Sequence, residues 1–305
     1  MKNAFIRTLE QIASKNKDVF FVTGDLGFAM IESYQKNLPR QFVNAGVSEQ
    51  NMMGFAAGMS LTGKTVFTYS IATFSTFRCL EQIRNDVCYH NANVKIVANG
   101  AGFSYGGLGV THHLTEDMAI MRALPGMRVL SPANAFEAEM ATRIAAATPG
   151  PFYIRISAEP PFLYTNTSLT LGKAITIRKG KDAVVVTTGA ILNNVCKAAE
   201  LLKKKKINLT IVHMPTVKPI DTRAIDALLR RYESIFVVEE HGIIGGLGSA
   251  VAEHASEKRR TGRIVKMGIP DTFSEFVGSK DYLRDKYGLS PETIAKRVER
   301  ELHKQ

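Results

Sequence analysis

The sequence contains no tryptophan, only three cysteines and only 28 acidic residues against 39 basic ones. Cys79, Cys88 and Cys196 lie in helix-like or apolar contexts without metal-ligand spacing, and an odd count of this kind builds no disulfide framework. They read as reduced core residues. No window approaches the ~18 unbroken apolar residues of a membrane span. The N-terminus, Met1 to Asp18, scatters charges of both signs and has no stretch of signal-peptide type. A soluble cytoplasmic protein is expected. Internal repeats and low-complexity segments are lacking as well.

The shortage of acid leaves a formal charge of +11. Such a balance raises the question of nucleic acid or a membrane surface. The densest run, Lys203 to Lys206, follows an apolar-rich stretch and precedes a strand-like one, so it marks a helix end, where cations suit the dipole. Lys258-Arg259-Arg260 reads the same way. The basic residues are not interleaved with aromatics as single-strand binders favour, so neither nucleic acid nor membrane is expected as a partner.

What is present is an alternation of periods. Short β-branched runs at Val19–Val22, Thr65–Thr68, Val94–Ala98 and Arg128–Leu130 alternate with helix-like segments such as Glu116–Ala123 and Ala135–Ala146. The pattern breaks at Pro149-Gly150-Pro151 and again at Pro160-Pro161, and Thr165–Gly172 reads as a linker. It then resumes with strands expected at Ala183–Thr187, Leu209–His213, Ser234–Glu239 and Arg263–Met267. The chain of 305 residues is long enough for two cores. The expectation is an α/β protein of two three-layer domains, each with a mainly parallel sheet, spanning residues 1–165 and 173–305.

Three stretches carry candidate chemistry. The first is Phe42-Val43-Asn44-Ala45-Gly46-Val47-Ser48-Glu49-Gln50-Asn51, a strand entry, a glycine turn and a small-residue helix that begins at Glu49. An acid there suits any helix N-terminus. Flanked by apolar residues, it is also partly desolvated and suited to sharing a proton. The second, Thr65 to Arg78, holds Tyr69, Phe74 and Phe77, each of which alone reads as an ordinary core aromatic. The third runs through Gly106-Gly107-Leu108-Gly109-Val110-Thr111-His112-His113, a glycine loop with paired histidines that fits closure over a small ligand.

Taken together and in this order, the stretches resemble the pyrimidine-binding domain of transketolases, deoxyxylulose-phosphate synthases and 2-oxoacid dehydrogenase beta subunits. The resemblance runs from about Phe5 to about Glu301. It implies thiamine diphosphate as cofactor, with Glu49 on the family's glutamate. That acid bonds a ring nitrogen of the aminopyrimidine and favours the tautomer that activates the thiazolium carbon. Phe74 is the first choice for the aromatic that stacks on the pyrimidine, with Phe77 and Tyr69 as alternatives. Arg78 and Arg84 follow as ligand contacts or exposed charges.

His112 falls on the histidine that contacts the reacting group, where it can exchange protons with sugar hydroxyls. His113 is either its supporting partner or a solvent-facing neighbour. Val237 to Ala250, with His241, resembles the strand end and glycine turn of the family's C-terminal domain and is assigned to packing and dimer geometry.

The departures from the family pattern carry information too. Leu108 stands where relatives often have an aspartate that reads a substrate hydroxyl, and Asn99 or Gly100 stands near a substrate-binding histidine. Arg155 is kept as a candidate substrate contact, whereas Ala158 occupies the place of the usual phosphate-binding arginine. The substrate's far end is therefore expected to be unphosphorylated or held by residues outside this chain.

Full-length relatives carry another domain that binds magnesium and diphosphate through Gly-Asp-Gly. Here Gly24-Asp25-Leu26-Gly27 precedes Glu49 and lacks the second glycine, so Asp25 is read as a cofactor-side loop residue facing a partner, with no metal site in this chain. The resemblance implies an N-terminal transketolase subunit that holds most of the Mg and diphosphate contacts, in a heterotetramer of two copies of each chain. Gly109-Val110-Thr111-His112 and Arg122-Ala123-Leu124-Pro125 favour a transketolase over the alternative, a 2-oxoacid dehydrogenase beta subunit.

Overall fold

The computed structural model describes residues 1–158, 168–258 and 262–304. The break at Pro160-Pro161, the boundary at 165, and Arg259 and Arg260 lie outside the described residues.

Two sheets organise the chain. The first contains β1 (Val19–Thr23), β2 (Phe42–Asn44), β3 (Thr65–Ile71), β4 (Val94–Asn99), β5 (Arg128–Leu130) and β6 (Phe152–Ile156), all parallel. The second contains β7 (Ile175–Arg178), β8 (Ala183–Thr187) and β9 (Leu209–His213). After β10 (Thr216–Lys218), which belongs elsewhere, it takes β11 (Ser234–Gly242) and β12 (Arg263–Ile269). The orders are β10-β5-β6-β4-β3-β1-β2 and β12-β11-β8-β9-β7, with β7 antiparallel at its edge. The short strand β10, which follows β9 of the second sheet, returns to pair antiparallel with β5 of the first. The two sheets are thus stitched by the chain itself.

Strand parity decides which residues reach the site, because successive side chains point to opposite faces of a sheet. On β3, Phe67 and Tyr69 pack with Phe5 and Leu9 of helix Lys2–Ala13, while Val66 packs on the other face with Met52, Met53 and Ala56 of helix Glu49–Leu61. Ser70 shares the parity of Val66 and therefore meets Glu49. In the second domain Val185, Ile211 and Phe236 face helices Leu192–Lys204 and Pro291–Leu302. Val184, Val186 and Val237 face helices Thr222–Arg231 and Leu247–Ser256. Each sheet thus has helices on both faces, the three-layer arrangement expected. Among the described residues no helix is long and apolar enough to cross a membrane.

The domains meet through buried charge. Glu240, at the end of β11, accepts from the backbone N–H of Phe103 at 2.9 Å and pairs with the buried guanidinium of Arg284. Burial alone would raise the Glu240 carboxyl, but Arg284 and Lys280 override it and hold it down at about 2. Beside it, Glu239 accepts from the N–H groups of Leu247 and Gly248 at the start of a helix, and desolvation raises its carboxyl. His241 donates from Nδ1 to the Gly242 carbonyl and accepts the Ala119 N–H at Nε2. It belongs to packing.

Candidate active site

The site is assembled at the C-terminal ends of β1, β2, β3 and β4. After β2, Gly46 takes a positive φ of 72° and turns the chain into helix Glu49–Leu61. Asn44 clips this turn to the neighbouring loop. Its Oδ1 accepts the backbone N–H groups of Asp25 and Gly46, and its Nδ2 donates to Asp25 Oδ1 at 2.9 Å. Asp25 itself is exposed. Phe28 and Val47, one on each clipped loop, are 76% and 72% exposed, so the rim of the site carries bare apolar side chains.

Glu49 is only 1% exposed. Ser70 Oγ donates to Oε1 at 3.3 Å and Arg78 Nη1 donates to Oε2 at 3.0 Å. Gly24 makes room for this arrangement, since a Cβ there would stand 3.1 Å from Ser70 Oγ and 3.6 Å from Glu49 Cγ. Phe74 opens a wide-turned π-helical segment, Phe74–Arg78, and lies half-buried with the Arg78 guanidinium 4.6 Å over its ring. Its other neighbour is His112, edge-on with ring centroids 5.3 Å apart. Tyr105 follows at 6.1 Å from His112, and its hydroxyl accepts from Asn99 Nδ2 at 2.7 Å. Glu49, Arg78, Phe74, His112, Tyr105 and Asn99 therefore form one continuous line.

The glycine loop is anchored from beneath. A Cβ on Gly106 would come 2.5 Å from the Gly278 carbonyl oxygen and 2.7 Å from Leu283 Cδ1, so the loop sits directly on the second domain. At its tip, His112 shares a hydrogen bond of 3.0 Å between Nδ1 and Thr111 Oγ1, which leaves Nε2 for a ligand.

Three expected contacts belong to the framework instead. Tyr69 is buried in the core, stacked on Phe5 at 5.8 Å, because its parity on β3 turns it away from Glu49. His113 is buried, with Nε2 bonded to the Gly106 carbonyl and its ring edge-on to Phe103, so it braces the loop. Arg155 is 4% exposed and pairs with buried Asp117 at 2.8 Å; it also donates to the carbonyls of Leu114 and Glu240. A guanidinium is buried only when its donors are satisfied. These contacts engage Arg155 in the domain joint. Arg78 contacts the Glu49 acid. Phe77 stands exposed on the same segment, and Arg84 is exposed and bonded to Asn85.

Ser70, Tyr105 and Asn44 were not anticipated as site residues. Ser70 alone had a usable signal, its parity with Val66. A cleft of about 420 Å³ continues past Tyr105 and Asn99, and Lys2 and Arg7 of the N-terminal helix line it together with Ser157 and Ala158. Lys280 reaches the same place, donating to Ser157 Oγ and the Ala158 carbonyl. Positive charge is therefore present around Ala158, supplied from other elements. Among the described residues no group of three or more His, Cys, Asp or Glu side chains is arranged to hold a metal ion.

Comparison with known proteins decides between the readings. The transketolase pyrimidine-binding domain family matches residues 1–159, and the transketolase C-terminal domain family matches residues 172–294. The chain belongs to the transketolase family. A Methanocaldococcus jannaschii protein named, provisionally, as a transketolase C-terminal section is 37% identical over all of this chain and 97% of its own length. One of the subunits of an apulose-4-phosphate transketolase from Phocaeicola vulgatus is 36% identical over 97% of this chain and 95% of its own length. A split-gene transketolase solved as an inactive beta4 tetramer superposes with a TM-score of 0.88 at 35% identity, over 98% of this chain and 97% of that one. These relatives favour a transketolase over a 2-oxoacid dehydrogenase beta subunit. The buried acid with an aromatic face beside it fits the aminopyrimidine of the family's cofactor.

Proposed function

We propose that this chain is the C-terminal subunit of a two-subunit transketolase, transferring a two-carbon ketol unit from a ketose to an aldehyde acceptor. The donor leaves as an aldose shorter by two carbons and the acceptor leaves longer by two. The observation that carries this reading is the buried Glu49 carboxylate, linked through Arg78 to the Phe74 ring and in line with His112. Thiamine diphosphate, when bound, supplies the carbon nucleophile that takes up and releases the two-carbon unit.

This chain's own residues do the rest. Glu49, fixed through Oε1 by Ser70, holds the proton shared with the ring nitrogen of the aminopyrimidine. Phe74 offers its face to that ring. His112, with Nδ1 accepting the Thr111 hydroxyl, presents Nε2–H to a substrate oxygen and moves protons at the sugar hydroxyls. The far end of the sugar extends past Tyr105 into the cleft of Lys2 and Arg7, whose charge suits an anionic group despite Ala158.

Magnesium and the diphosphate are held mainly by an N-terminal subunit that covers the rim at Phe28, Val47 and Asp25. Two relatives point the same way, one named as a single subunit of its transketolase and one as a split-gene protein. The assembly we favour is a cytoplasmic heterotetramer of two copies of each chain.

The test is substrate class. The chain, purified with its partner subunit and supplied with thiamine diphosphate and magnesium, is offered a ketose with an aldehyde, and separately a 2-oxoacid. Two-carbon transfer from the ketose is expected. Decarboxylation of the 2-oxoacid without ketose cleavage would overturn the proposal.

A further inference from the structure

The two features that suit an aminopyrimidine, the Glu49 carboxylate and the Phe74 ring, are both engaged by one side chain. Arg78 donates from Nη1 to Glu49 Oε2 at 3.0 Å while its guanidinium carbon lies 4.6 Å over the Phe74 ring. A guanidinium is flat, delocalised and edged with N–H groups, so it stacks on an aromatic face and points donors at a carboxylate in its own plane. An aminopyrimidine presents the same shape and the same edge. The two cannot lie on one face of Phe74 against one oxygen of Glu49.

Local geometry makes the substitution easy to reverse. Arg78 closes the π-helical segment that Phe74 opens, so its side chain folds back across that ring from four residues away. Its side chain is 48% exposed, whereas that of Glu49 is 1% exposed. The cation can swing into water at little cost. The acid cannot, and without a partner its Oε2 would be a buried charge lacking compensation.

Resting on the reading of the pocket given above, we infer that Arg78 is a placeholder for the cofactor's pyrimidine ring. It satisfies Glu49 and covers Phe74 in the empty subunit, and cofactor entry displaces it. The contact keeps the pocket formed before assembly and competes with the ligand that replaces it.

The experiment measures equilibrium binding of thiamine diphosphate, at saturating magnesium, to the complex of this chain with its partner subunit. Wild type is compared with Arg78→Ala, Arg78→Lys and Glu49→Gln, and melting of the same proteins is followed with and without cofactor. Arg78→Ala is expected to bind the cofactor about 3- to 10-fold more tightly, the loss of a modest ion pair and cation–π contact as competitor. It should melt lower than wild type when empty, and the gap should close when the cofactor is saturating. Arg78→Lys, which keeps charge without the plane, is expected between the two and serves alone if the alanine variant does not fold. Weaker or unchanged binding in the Arg78 variants, with Glu49→Gln strongly weakened, overturns the placeholder role and leaves the pocket reading intact. Unchanged binding in Glu49→Gln overturns both.

Discussion

Replacing Arg155 by methionine separates a structural from a substrate-binding role for a residue that stands in a candidate strand. Its guanidinium bonds Asp117 Oδ2 at 2.8 Å, the Leu114 carbonyl at 3.1 Å and the Glu240 carbonyl at 3.0 Å, the last across the domain joint. Methionine fills much of the volume and supplies none of the donors. Asp117, fully buried, would keep the Tyr153 hydroxyl as its side-chain hydrogen-bond partner among the described residues, at 2.8 Å, with His241 Nε2 3.9 Å from its other oxygen. Breaking one side of a buried pair costs about 3–5 kcal/mol. With a urea dependence of about 2–3 kcal/mol/M, the midpoint should fall by about 1–2.5 M.

The double variant Arg155→Met with Asp117→Asn removes the stranded charge and should recover part of the loss, giving a coupling above about 2 kcal/mol in a double-mutant cycle. Unfolding is followed by circular dichroism, and KM for the ketose is measured on the assembled enzyme at a temperature where the variant is folded. A loss below about 1 kcal/mol with additive single effects, joined to a large rise in KM, would refute the structural assignment and return Arg155 to the substrate.

Other perturbations test neighbouring parts of the account. Gly106→Ala drives a methyl into the Gly278 carbonyl and Leu283, so about 1–3 kcal/mol of stability should be lost by urea unfolding, and an unchanged midpoint would contradict the loop's seat on the second domain. Burial, with Arg128 beside it, lowers Lys95 from 10.5 to about 7 while its amine donates to the carbonyls of Thr148 and Gly150. The unfolded chain then binds the extra proton, so stability should rise between pH 7 and 10.5 by about 1.4 kcal/mol per unit from this group; Lys95→Met should remove that slope. Glu240 acts in the same direction in a lower pH window. Its folded value of about 2 means that the stabilisation is complete above pH 4.5 and lost as pH falls toward 2, and Glu240→Gln should flatten that acid limb in pH-dependent melts.

Much of the architecture was legible because periodicity reports it directly. The strands at Arg128–Leu130, Ala183–Thr187 and Leu209–His213 have the expected bounds, and β1, β3 and β4 extend theirs by one to three residues. What stayed hidden did so for identifiable reasons. Tyr69 lies in the right strand on the wrong face, a distinction that depends on which parity faces helix Glu49–Leu61. On β6, Arg155 shares the face of Tyr153, where both meet Asp117, a pairing 38 residues distant for the arginine. Strand β10 is too short to show alternation. The π-helical winding that folds Arg78 over Phe74 has no sequence signal. The cations of the cleft come from the N-terminal helix, far along the chain from Ala158, and only the folded molecule brings them together.

The central claim is that Glu49 serves a cofactor completed by a second chain, and the most direct measurement is ketose cleavage by this chain alone, by the two-chain complex, and by the complex carrying Glu49→Gln. Activity that requires both chains and falls at least 100-fold in the variant is predicted, the scale of a lost proton-transfer group. Full activity in the single chain, or a variant as active as wild type, would contradict the account.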